Sequence, residues 1–111
     1  MPVSEIDLAT FDELKASAGD EFVTELVGTF LEEAPGMLAE LRAAHAAGAA
    51  ERFRRAAHAL KSNASTFGAS RMAALARALE LGGLPADATA VDTLAREFET
   101  TLAALQALAR Q

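Results

Sequence analysis

Apolar residues recur along this chain at spacings of three and four, and no stretch alternates apolar and polar as a half-buried strand would. That pattern confines the fold to packed helices. The composition agrees, since alanine is abundant, Tyr and Trp are absent, and β-branched residues are few. At 111 residues, 51% hydrophobic, the chain can build one core but not two, so residues 1–111 are read as a single helical domain.

Five helices follow from the punctuation. Thr10 with Glu13 forms a capping box for a short helix to about Ser17. Gly19 breaks it and Asp20 can cap the next, whose Phe22, Val23, Leu26, Val27, Phe30 and Leu31 make a broad stripe for burial. Pro35 removes one backbone donor and clashes with the carbonyl of Leu31. The pattern resumes at Leu38 and Leu41, which predicts one kinked helix ending near Gly48, with two shorter helices as the alternative. A third helix spans about Ala50 to Phe67. Gly68 suits its C-terminal cap, and Ser70 can cap a fourth helix carrying Met72, Leu75 and Leu79. "GGLP" ends the fourth, and the last runs from about Thr89 to Ala109. Short connections favour antiparallel neighbours, hence a bundle.

The third helix contains "RRAAHALKSNASTFGAS". Advancing about 100° per residue puts Phe53, Ala56, Ala57, Leu60, Ala64 and Phe67 on one side. His58 then lies about 150° from the centre of that stripe and faces solvent. The same outward arc holds Arg54, Arg55, Lys61, Ser62 and Ser65, with Lys61 and Ser62 as direct neighbours of His58. A neutral imidazole there has a ring nitrogen free to attack phosphorus. Lys61 can offset the charge of a phosphoryl group, Arg54 and Arg55 add local positive charge, and the two serines leave room for another protein. No carboxylate stands beside His58 on this arc.

Other chemistries fit less well. With no cysteine there is no disulfide, thiolate nucleophile or Cys-ligated metal. A Glu-x-x-His metal pair fails because arginine precedes both histidines by three residues. Glu32 and Glu33 read as a solvated face. A hydrolase built on Ser62 and His58 lacks a carboxylate partner and an oxyanion hole. His45 sits at the edge of an apolar stripe near a helix C-terminus, which suits a structural role. The net charge of −6 argues against nucleic acid as a partner. "MPVSEIDLATFDEL" has neither the basic region nor the apolar run of a signal peptide, and no segment is apolar enough to span a bilayer. A cytoplasmic domain is expected, and no metal or cofactor is expected on the chain itself.

"HALKSNASTFGA", His58 to Ala69, resembles the signature of the histidine-containing phosphotransfer (HPt) family. The matching positions are His58, Lys61, the small Ser62 and Gly68; glycine is commoner than serine at position 62 in that family. "FLEEAPGMLAELRAA" and "MAALARALE" resemble the family's flanking helices. The resemblance implies an all-α fold, an antiparallel four-helix bundle with an additional short N-terminal helix. It implies that His58 accepts a phosphoryl group from a receiver-domain aspartate and passes it to another receiver, so that the chain is a phosphocarrier and not a kinase. Lys61 would steady the phosphohistidine, and Gly68 would shape the helix end. The implied partners are receiver domains of response regulators or hybrid histidine kinases, with Mg²⁺ on the receiver. A monomer is expected, and the start at Met1 without a linker favours a free protein. The alternative is a helical module that docks a receiver without carrying phosphate.

Overall fold

The computed structural model describes residues 6–109, so the first residues of the N-terminal reading and the extreme ends of the expected domain lie outside it. Five helices follow in order: α1 (Leu8–Ala18), α2 (Asp20–Ala46), α3 (Ala50–Thr66), α4 (Ser70–Gly82) and α5 (Thr89–Ala109). Helices α2 to α5 close a ring in which each packs on the next and α5 returns to α2, while α1 packs on α2. This is the expected four-helix bundle with an added N-terminal helix. No helix among the described residues is long and apolar enough to cross a membrane.

One hydrophobic cluster draws on all five helices. Phe30 ties α2 to the end of α3 and to α5, with ring centroids 5.4 Å from Phe67 and 6.1 Å from Phe98. Fully burying one such ring contributes up to about 3 kcal/mol. Phe53, Ala57, Leu60 and Ala64 are buried on α3 as their spacing requires, and Ala56 is half-buried beside them.

Four local expectations are corrected. Asp7, not Thr10, caps α1: its carboxylate accepts from the Ala9 N–H and from the Thr10 hydroxyl, so Thr10 is spent as a donor one turn inside the helix. Gly19, at φ +93°, precedes α2, and Asp20 lies in the first turn, where its charge favours the helix N-terminus. Ser70 is the first residue of α4 and Ala69 occupies the cap position. Phe22, counted with the buried stripe of α2, is 54% exposed, because the packed line runs through Val23, Val27, Phe30 and Ala34. Pro35 lies within α2, which is one continuous helix.

The turn between α3 and α4 sets the register of the functional face. Gly68 adopts φ +78° and is buried. Its carbonyl accepts from the Asp7 N–H at 2.7 Å, anchoring the start of α1. A Cβ at Gly68 would lie 2.8 Å from the Asp7 carbonyl oxygen and 3.0 Å from Thr10 Cβ. Left-handed backbone and lack of space therefore both demand glycine. Replacing Gly68 by alanine is expected to lower stability by about 2 kcal/mol, whereas Gly48→Ala, at positive φ but in open space, should cost about half as much. Equal urea midpoints for the two variants would contradict this account of the turn.

Candidate functional site

His58 stands on the outward face of α3 with its side chain 54% exposed. It has a partner that its own helix does not supply. Glu80, near the end of α4, places Oε2 at 2.7 Å from His58 Nδ1. An ionised carboxylate only accepts, so Nδ1 carries the proton and donates. The second oxygen of Glu80 lies 2.9 Å from Lys61 Nζ. One carboxylate thus holds both His58 and Lys61 of α3, and it is itself only 10% exposed.

The alignment follows from the hairpin. Antiparallel helices pair residues at equal heights about their turn. Eight residues separate His58 from the end of α3 at Thr66, and ten separate Glu80 from the start of α4 at Ser70. At about 1.5 Å per residue those heights are about 12 Å and 15 Å, close enough for a glutamate side chain to bridge. Leu79 and Ala76, buried beside it, fix the rotation of α4.

The electrostatics are specific. Lys61 first, and His58 second, hold the Glu80 carboxyl below the ordinary glutamate range. Glu80 therefore stays charged where an average glutamate begins to take up protons, and it keeps its two partners.

The other expected site residues divide. Ser62 and Ser65 are exposed on the His58 face, one and two turns further on. Arg54 is exposed, but both its Nε and Nη2 bond Glu51, at 2.7 and 2.8 Å, so its charge is largely offset. Arg55 is exposed and makes no ion pair among the described residues. Gly68 is not on this surface; it shapes the helix end beneath Asp7 and Thr10. His45 donates from Nε2 to the Pro85 carbonyl at 2.9 Å and lies 5.8 Å from the Phe53 ring, tying α2 to the α4–α5 loop and leaving that ring outside the site. Among the described residues no group of three or more His, Cys, Asp or Glu side chains is placed to hold a metal ion.

Glu80 is the candidate site residue that α3 alone does not reveal. It is the only acidic residue of α4, and reflecting His58 about the Gly68–Ala69 turn lands on its neighbour Leu79.

What this arrangement can do is restricted. A ring nitrogen faces solvent, the other is held by a carboxylate, and an ammonium lies one turn away. Comparison with known proteins agrees with that chemistry. Residues 25–108 match the family model of the Hpt domain. The chain belongs to the Hpt family. Hpt domains are phosphocarriers of phosphorelays, not kinases, and they work with receiver domains; a phosphorelay phosphocarrier is accordingly what this Hpt chain is. A search of curated protein sequences finds no match. Among solved structures the fold resembles histidine-containing phosphotransfer protein B (HptB) from Pseudomonas aeruginosa PAO1, at 24% identity and a TM-score of 0.86, over 98% of this chain and 97% of that one.

The lowered Glu80 value has a definite sign. A carboxyl whose folded value is depressed adds stability above its ordinary value and loses it as pH falls through the lower folded one. The bridge to His58 and Lys61 should therefore survive through pH 4.5, the ordinary value for glutamate, and fail only below it. Carbon-detected NMR titration of the Glu80 carboxyl should give a midpoint under 4.5 that rises in Lys61→Ala. A midpoint at or above 4.5 in the unaltered protein would contradict the bridge.

Proposed function

We propose that His58 Nε2 is the phosphoryl acceptor, taking the group from the aspartyl phosphate of one receiver and passing it to the aspartate of another. The observation that carries this reading is the bond from His58 Nδ1–H to Glu80, which leaves the Nε2 lone pair as the outward one. Nε2 attacks phosphorus, the bond from phosphorus to the aspartate oxygen breaks, and the aspartate leaves as a carboxylate. The ring gains positive charge because Nδ1 keeps its proton. Glu80 already faces that proton, so the charge forms opposite a fixed carboxylate and no proton need move. In the return step the same cationic ring is a good leaving group.

Lys61 is the cation for the phosphoryl oxygens. Its link to Glu80 is partly exposed, and its flexible stem can turn toward Nε2 as the phosphoryl group arrives. Arg55 adds positive charge on the same face, and Arg54 contributes less because Glu51 engages it. Ser62 and Ser65 leave space for the receiver. The Mg²⁺ that neutralises the moving phosphoryl group belongs to the receiver, and no residue of this chain is assigned to it. The reading places the protein in the cytoplasm as a monomeric carrier serving receivers of response regulators or hybrid kinases.

Incubation with a receiver carrying labelled phosphate should transfer acid-labile, alkali-stable label to the protein, and His58→Gln should take none. Label on His58→Gln would overturn the assignment. Receiver binding without transfer in the unaltered protein would favour the docking module. Ser62→Trp should slow transfer by about a hundredfold with helical content retained, because a bulky ring displaces the partner from in-line geometry; an unchanged rate would exclude close approach at that face.

A further inference from the structure

Beside His58, between α2 and α3, lies an open cleft of about 460 Å³ lined by Glu32, Glu33, Gly36, Met37, Ala56 and Ala59. Residues 33, 37 and 40 recur on one face of α2, and residues 56 and 59 face them from α3. The cleft exists because its walls are small: glycine on one side and two alanines on the other, with Met37 as a deformable apolar floor.

Its rim is acidic, and unevenly so. Glu40, at one end, is occupied, since both its oxygens accept from Arg52 at 3.0 Å. Glu32 and Glu33 are exposed and form no ion pair among the described residues. Two carboxylates thus stand free at the mouth of an apolar cleft in a chain of net charge −6.

The occupant follows from position, and this step rests on His58 being the phosphoryl acceptor. Ala59 is adjacent to His58 and Ala56 precedes it by two residues, so the cleft starts within about 5 Å of it along the helix. A specific partner covers about 800 Å² of each surface, a disc of about 16 Å radius. Any protein that brings an aspartate to Nε2 therefore also covers the cleft and its rim. A receiver presenting carboxylates there would bury like charges, whereas one presenting cations would pair them.

We propose that Glu32 and Glu33 are specificity-determining residues, selecting receiver domains that bring lysine or arginine, next to an apolar side chain, to the cleft between α2 and α3. The carboxylates steer encounter and reject acidic docking faces, while Met37 and the alanines receive the apolar side chain.

The probe is a receiver domain that exchanges phosphate with the unaltered protein, compared with phosphoramidate, a small donor that needs no docking face. Transfer from the receiver should fall about tenfold as ionic strength rises from about 0.01 M to about 0.1 M. At low salt Glu32→Gln/Glu33→Gln should lose severalfold and Glu32→Lys/Glu33→Lys about tenfold or more, with the salt dependence flattened or reversed. Phosphoramidate should label His58 in all three forms. Receiver transfer from the lysine variant at the original rate and salt slope, with phosphoramidate labelling intact, would overturn the selection by Glu32 and Glu33 alone. Failure of phosphoramidate to label the unaltered protein on His58 would instead overturn the acceptor assignment, and the selection with it.

Discussion

The carboxylate of Glu80 reaches from α4 to two side chains of α3, and the character of the site depends on that contact. A solvent-facing histidine on a helix can rotate and can carry its neutral proton on either nitrogen. A carboxylate at 2.7 Å from Nδ1 restricts both freedoms. It fixes the ring, selects the tautomer with Nε2 unprotonated, and faces the ring where the proposed phosphorylation of Nε2 would place positive charge. Its other oxygen lies 2.9 Å from Lys61 Nζ, so both side chains share one carboxylate. The proposed nucleophile, positioning group and cation are thereby held together by one side chain.

The bundle supplies the precision. Buried rings of Phe30, Phe67 and Phe98 lock α2, α3 and α5 together, and Gly68 sets the turn from which α4 runs back along α3. The glycine does this away from the reacting face, through a backbone that α1 covers. Core and turn thus act on function indirectly, by holding Glu80 level with His58. The surface around them is open because its residues are small, with serines along α3 and the alanine–glycine cleft beside it.

Much of this was legible in the sequence because helices leave a periodic trace. The five elements, the buried face of α3 and the outward aspect of His58 follow from the spacing of apolar residues. Continuity of α2 through Pro35 was not decidable from spacing alone, since the apolar pattern is the same for one helix or two. Neither Thr10 nor Ser70 caps its helix: several residues there can accept a backbone bond, and only the folded geometry shows that Asp7 does so and that Thr10 donates to it. Glu80 was invisible to any reading confined to one helix. Its position beside His58 depends on interhelical register, which local periodicity does not report, although reflection about the Gly68–Ala69 turn comes within one residue of it. The exposure of Phe22 marks the same limit: periodicity gives a stripe, while packing decides its edges.

The central claim is that Glu80 leaves Nε2 as the nucleophilic nitrogen of His58. Nitrogen-15 NMR of the ring tests it most directly, first in the free protein and then after phosphorylation. The account predicts a proton on Nδ1 at neutral pH in the unphosphorylated, neutral ring, and coupling of phosphorus to Nε2 once the group is attached. A proton on Nε2 in the free protein, or phosphorus coupled to Nδ1, would contradict it.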